Sequence, residues 1–145
     1  MDKGIYCLVF HNPECTVGIG ALGEIAFRKG WHIYIGSALG AGGLKRLERH
    51  IALSQEKDKK PKWHVDYLLT NTEFPLRYAV SAVTPLRLEC LVASAFGGES
   101  VPLFGCSDCT CTSHLIYRET DPLLEVREVF RCLKLTPVTK TIKNP

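Results

Sequence analysis

The hydrophobic residues of this chain fall into short runs with two different periods. Runs rich in Ile, Val, Tyr and Phe are typical of strands, whereas the stretch 44–53 repeats Leu or Ile at three- and four-residue intervals and predicts a basic helix. A glycine cluster at 40–43 leads into this helix and cannot belong to its interior. Core strands are predicted over 5–10, 31–37 and 76–84.

Shorter segments complete the predicted order of elements. Thr84 before Pro85 is typical of a helix start, which predicts a helix over 85–96. The run 63–69 fits a short helix, although its length leaves a strand open. The remaining expectations are an edge strand or hairpin arm within 16–27, an irregular Cys-rich loop over 101–114, a strand over 115–117 and a helix over 121–133. We therefore expect one α/β (α+β) domain over 1–135 and a loose C-terminal tail over 136–145.

Composition places the chain among ordinary globular proteins. Its 145 residues are 46% hydrophobic and 23% charged, which excludes disordered and fibrous classes. The apolar runs are too short to span a bilayer, and the N-terminus lacks the layout of a signal peptide, so we expect a cytoplasmic protein without a membrane partner. In that compartment the seven cysteines are expected to be reduced thiols or metal ligands rather than disulfides.

The positive charge is concentrated in one part of the chain. Residues 28–62 contain nine Lys and Arg but three Asp and Glu, whereas the remainder is acidic. A basic stretch of this kind suits a phosphate-rich partner, because it attracts phosphates and releases their counterions. The Lys-rich segment 57–60 also fits a simple solvated loop.

Two tripeptides of glycine, isoleucine and tyrosine mark the first two predicted strands. Gly-Ile-Tyr at 4–6 begins the first strand, and Tyr-Ile-Gly at 34–36 ends the second. Arg46 follows on the basic helix, and Glu89 lies on the helix after the third strand. Together, in this order, these elements resemble the signature of the GIY-YIG nuclease superfamily.

A second set of motifs narrows the resemblance to one family within this superfamily. The chain contains Tyr-Ile-Gly-Ser-Ala-Leu-Gly at 34–40, Arg-His at 49–50, Lys-Trp-His-Val-Asp-Tyr-Leu-Leu at 62–69, Glu-Cys at 89–90 and Ser-Asp-Cys-Thr-Cys-Thr-Ser-His-Leu at 107–115. Over residues 4 to about 117 these are similar to the compact DUF123 or Uri-type endonuclease family. The resemblance implies a small three-stranded antiparallel sheet flanked by helices, and one divalent-metal site for phosphodiester cleavage.

The residue types of these motifs suit that chemistry. Phosphodiester cleavage needs an activated water and neutralisation of charge on the phosphate oxygens. Glu89 is the natural ligand for Mg²⁺ or Mn²⁺, since these ions prefer oxygen donors. Arg46 can hold a phosphate with a bidentate fork, in a role that lysine fills less well.

The identity of the general base is left open by the sequence. Tyr6 and Tyr34 are predicted at neighbouring strand ends, but an unperturbed phenol has a pKa near 10 and is a poor base at neutral pH. His50 and His64 are alternatives, because histidine titrates near neutrality.

Four further residues are predicted to bind nucleic acid. Lys45 and Arg49 lie on the same helix as Arg46, and Ser37 and Lys62 lie within the family motifs. The length of the glycine-rich loop leaves Arg49 as an alternative to Arg46 for the phosphate arginine, and we prefer Arg46.

The Cys-rich loop contains candidate zinc ligands. Cys109, Cys111 and His114 lie within six residues, and Cys90 or Cys106 can complete a tetrahedral site. The spacing is tighter than in usual zinc motifs, so reduced thiols in a tight loop are the alternative.

These observations support three functions. The first is a Mg²⁺- or Mn²⁺-dependent endonuclease that acts on DNA rather than RNA, with a DNA-repair protein as a candidate partner. The second is a nucleic-acid-binding module of the same fold without independent cleavage. The third is a metal-stabilised interaction protein with no nucleic-acid role.

Overall fold

A computed structural model describes residues 1–105 and 112–142 of the chain. Its strands are β1 (Gly4–Asn12), β2 (Cys15–Gly18), β3 (Glu24–Phe27), β4 (Gly30–Ala38), β5 (Leu76–Val83), β6 (Leu115–Arg118) and β7 (Val138–Thr141). Its helices are α1 (Lys45–Glu56), α2 (His64–Leu69), α3 (Glu89–Phe96) and α4 (Leu123–Cys132), with a 3₁₀ turn over Gly20–Leu22. No helix in this part of the chain is long and apolar enough to cross a membrane.

The fold is mixed α+β and is built on an antiparallel sheet. Five strands pair in the order β6-β4-β1-β5-β7, and β2 and β3 form a separate hairpin. The central strand β1 is buried on both faces, as expected from its continuous apolar run. Its side chains alternate between two hydrophobic cores. Tyr6, Leu8 and Phe10 pack towards α1 and α2. Ile5, Cys7 and Val9 pack towards α3 and α4.

Close approach of the chain explains a glycine in each tripeptide. Gly36 lies directly opposite Tyr6 in the β1–β4 pairing, and a Cβ atom at Gly36 would lie 2.6 Å from the Tyr6 ring. Gly4 lies against β5, where a Cβ atom would lie 2.5 Å from the carbonyl oxygen of Ala82. The two glycines therefore let the Tyr6 ring and the three long strands come together.

The sheet has five strands rather than the three that the resemblance implies. The three long strands β4, β1 and β5 correspond to the predicted core strands. β6 confirms the strand predicted over 115–117, and β7 is the fifth strand of the sheet. The tail predicted to be loose over 136–145 instead contains β7, which pairs with the edge of β5. The tail has a mostly polar sequence, so its pairing depends on the free backbone groups of that edge and on the buried Ile142, whose N–H donates to the Arg77 carbonyl.

The start of the third helix was also predicted wrongly. Helix α3 begins at Glu89 rather than at Pro85. The Thr84 hydroxyl accepts a hydrogen bond from the Leu86 N–H, so it closes a short turn instead of capping the helix. The shift places Glu89 in the first turn of α3. By contrast, the helix over 63–69 is confirmed by α2, and the hairpin within 16–27 by β2 and β3.

The contact between Gly36 and Tyr6 can be tested by stability measurements. Gly36→Ala should lower the free energy of unfolding by about 1–3 kcal/mol, because the new methyl group overlaps the buried ring. Gly18→Ala is the matched control, since a Cβ atom there meets no atom within 4 Å. Urea unfolding of the two variants gives the comparison, and equal stability of both would contradict the packing described.

Candidate active site

An open cleft of about 450 Å³ lies where the strands β1 and β4 meet the helices α1, α2 and α3. Its walls come from β1, β4, α1, α2 and α3, and from the loops before α2, α3 and β6. The described residues that line it are Tyr6, Tyr34, Ile35, Gly36, Ser37, Arg46, His50, Lys62, Trp63, His64, Arg87, Glu89, Gly105 and His114.

This cleft contains side chains that are far apart in the sequence. All six predicted catalytic residues line it: Tyr6, Tyr34, Arg46, His50, His64 and Glu89. Of the predicted nucleic-acid-binding residues, Ser37 and Lys62 also line it. Arg49 instead lines a neighbouring groove, and Lys45 is exposed on α1.

Tyr6 and His50 form a buried hydrogen bond at the base of the cleft. The Tyr6 hydroxyl lies 2.9 Å from His50 Nε2, and both residues are buried. Burial raises the pKa of Tyr6 well above its usual value; Tyr34 raises it further, whereas Arg46 acts to lower it. Burial lowers the pKa of His50 to about 4, against an opposing effect of Asp66. At neutral pH the pair is therefore a phenol and a neutral imidazole.

Asp66 lies on the other side of His50 from Tyr6. It was not predicted as a site residue from the sequence. Its Oδ1 lies 4.0 Å from His50 Nδ1, and its Oδ2 accepts hydrogen bonds from the backbone N–H groups of Lys62 and Trp63. The arrangement favours the tautomer in which His50 carries its proton on Nδ1, facing Asp66, and accepts the Tyr6 proton at Nε2. The position of Asp66 at the third residue of α2 is typical of a capping carboxylate; that signal identifies a helix cap but not its contact with His50.

Arg46 is held at the cleft wall by two contacts. Its Nη1 donates to the Ser37 carbonyl oxygen at 3.1 Å, and its guanidinium carbon lies 4.9 Å from the centre of a Trp63 ring. Among the described residues no carboxylate forms an ion pair with Arg46. The arginine thus presents its charge to the cleft rather than to a neighbouring acid.

Glu89 is a buried carboxylate with an unusual environment. The residue is 7% exposed, and its Oε1 accepts a hydrogen bond from Arg87 Nη1 at 3.0 Å. Its Oε2 is buried without a hydrogen-bond partner among the described residues. An unpaired buried carboxylate oxygen is costly, and a hard divalent cation is a partner that would satisfy it. Glu89 therefore fits the metal-ligand role expected for it.

His64 is oriented by the backbone of the next loop. The Gly105 N–H donates to His64 Nδ1 at 2.8 Å, so in the neutral ring the proton lies on Nε2. Partial burial lowers the pKa of His64 and keeps the ring neutral. With its Nδ1 lone pair already engaged, His64 is a hydrogen-bond donor rather than a base.

Part of the proposed zinc site can be located. His114 is buried at the cleft, and its Nε2 lies 3.5 Å from Cys90 Sγ. Cys106, Cys109 and Cys111 lie outside the described residues. Within residues 1–105 and 112–142, no group of three or more His, Cys, Asp or Glu side chains could hold a metal ion.

Comparison with known proteins gives one match. The family model described as "Domain of unknown function DUF123" matches residues 5–135, which is most of the chain. No curated protein and no solved structure matches.

The low pKa of His50 predicts an acid-sensitive fold. The folded state keeps this ring neutral down to about pH 4, whereas in the unfolded chain it binds a proton below about pH 6.5. Stability from this source is complete above pH 6.5 and is lost as the pH falls towards 4. When the pH falls from 7 to 4.5, the free energy of unfolding should therefore decrease less for His50→Gln than for the wild type. The control is His11→Gln, because His11 is exposed. Identical pH profiles of stability for the wild type and His50→Gln would contradict the lowered pKa of His50.

Proposed function

We propose that this chain, which belongs to the DUF123 family, is a metal-dependent endonuclease of the GIY-YIG type that hydrolyses phosphodiester bonds of DNA. The proposal rests above all on Glu89, a buried carboxylate with one unsatisfied oxygen in the same cleft as Arg46 and the Tyr6–His50 pair. In folded proteins the large majority of buried side-chain polar atoms are hydrogen bonded, so the unsatisfied oxygen calls for a ligand.

Glu89 would hold a single Mg²⁺ or Mn²⁺ ion through Oε2. Its other oxygen is bonded to Arg87, whose side chain is 70% exposed and so neutralises the buried carboxylate only in part. When bound, the ion supplies charge neutralisation on the phosphate and lowers the pKa of water.

Arg46 would bind the phosphate that is cleaved. Guanidinium carries five N–H donors in a planar fork, and within the described residues Arg46 donates one hydrogen bond, to the Ser37 carbonyl oxygen. Donors therefore remain for two phosphate oxygens, where positive charge stabilises the additional negative charge of the transition state. Trp63 and Ser37 fix the orientation of the guanidinium before substrate binds.

Tyr6 and His50 would carry the proton away from the attacking water. Tyr6 is protonated at rest and donates to His50 Nε2, so its oxygen can accept a proton from water while its own proton moves to His50. Asp66, facing His50 Nδ1, would stabilise the imidazolium that results. His64, whose Nδ1 is engaged by Gly105, would instead donate from Nε2.

Substitution of Glu89 tests the proposal directly. Glu89→Gln keeps the shape of the side chain but removes its charge, and it should reduce Mn²⁺- or Mg²⁺-dependent cutting by at least about 100-fold. DNA binding in EDTA should be unchanged. The assay uses supercoiled, linear, branched and single-stranded DNA, and Glu73→Gln at an exposed position is the control.

Two outcomes would contradict the proposal. Undiminished cutting by Glu89→Gln would exclude this carboxylate as the metal ligand. Binding without cutting by the wild type on all four substrates would favour a nucleic-acid-binding module without independent cleavage.

A comparison of two arginines tests the phosphate site. Arg46→Lys should reduce the rate of cutting by about 10- to 100-fold, because an ammonium cannot form the bidentate fork. Arg49→Lys keeps the charge of an exposed residue outside the cleft and should change the rate by less than about threefold. Single-turnover cleavage rates give the comparison. A larger loss for Arg49→Lys would reverse the assignment.

A further inference from the structure

A second groove of about 390 Å³ opens beside the cleft. It lies between α1 and the segment that leads to α2, and it shares Arg46, His50, Lys62 and Trp63 with the cleft. The two spaces therefore form one continuous surface, with Trp63 at their junction. The groove has the volume of a small-molecule pocket.

Trp63 is unusually exposed for a tryptophan that is held in place. Half of its surface is accessible, although its backbone N–H is bonded to Asp66 and its indole lies against Arg46. His50 makes an edge contact with the indole at a centroid distance of 6.1 Å. A fixed, half-exposed indole beside cations is the arrangement on which unpaired bases stack in proteins that bind single strands.

The groove beyond Trp63 is mainly basic. Arg49, Lys59 and Lys60 line it with Arg46 and Lys62, against three carboxylates of which Asp66 is buried. The segment that carries these lysines is attached to α2 by Lys57, whose Nζ donates to the Leu69 carbonyl oxygen. Positive charge along this groove complements a phosphate backbone.

We propose that the groove binds unpaired nucleotides of a DNA substrate and that one unpaired base stacks on Trp63. A base within a duplex is covered on both faces by its neighbours, so it can meet the indole only when it is unpaired or flipped out. The substrate class is therefore DNA with a single-stranded stretch beside the bond to be cut. The cutting itself rests on the proposed function, but binding of the single strand does not.

Binding measured in EDTA, where no metal-dependent cutting occurs, tests single-strand binding separately from the proposed cutting. The probe is a fluorescein-labelled 12-nucleotide oligo-dT strand, compared with a blunt 12-base-pair duplex. Trp63→Ala should weaken binding of the single strand by about tenfold or more and binding of the duplex by less than about twofold, and Trp63→Phe should retain most of the affinity. Trp31→Phe is the control, because Trp31 stacks on His11 and lines neither space.

An abasic version of the strand tests stacking with all phosphates retained. It should bind the wild type about as weakly as the normal strand binds Trp63→Ala. Equal losses for single strand and duplex, or no loss with Trp63→Ala, would overturn the proposal whether or not the protein cuts DNA. The expected binding result without any cutting would leave this inference standing and contradict only the proposed function.

The charge of the groove is tested by salt dependence. The double variant Lys59→Gln/Lys60→Gln should reduce the slope of log affinity against log salt by about 1.4 for the single strand, since each phosphate contact contributes about 0.7. Lys29→Gln/Lys140→Gln removes the same charge outside both spaces and should leave the slope unchanged. Equal slopes for the two double variants would overturn the proposed path of the strand.

Discussion

The packing of the Tyr6 ring against the bare backbone of Gly36 is the contact on which the site depends. It requires the β1–β4 register that places the two residues opposite each other, and it directs the phenol hydroxyl to His50 on α1. Arg46 lies one turn earlier on the same helix and therefore faces the same cleft. A shift of the register by one residue would turn the Tyr6 side chain to the other face of the sheet and separate it from His50.

The two buried carboxylates of the site differ in how they are satisfied. Asp66 accepts two backbone hydrogen bonds at the start of α2, so it stabilises the helix and orients His50 without needing a ligand. Glu89 receives one hydrogen bond from a largely exposed arginine, and its second oxygen is left buried without a partner among the described residues. The first environment is that of a structural group, whereas the second leaves a buried carboxylate oxygen unsatisfied, which is the observation that supports the proposed metal site.

Strong local signals made much of this arrangement predictable from the sequence. Continuous apolar runs identified β1, β4 and β5, and the family resemblance carried by the tripeptides, Arg46 and Glu89 pointed to residues that line the cleft. Asp66 and Trp63 were missed as site residues because their importance depends on how α2 packs against α1. The pairing of β7 has no hydrophobic signature, and a threonine that closes a turn resembles one that caps a helix.

The proposed function requires that Glu89 hold a divalent ion beside Arg46 and the Tyr6–His50 pair. The most direct measurement is anomalous scattering from a crystal of the protein equilibrated with Mn²⁺, with Glu89→Gln crystals treated in the same way. We expect a manganese peak in contact with Glu89 Oε2 that is absent from the variant. A wild-type crystal in which the cleft holds no manganese, with Glu89 Oε2 hydrogen bonded to a protein group, would contradict it.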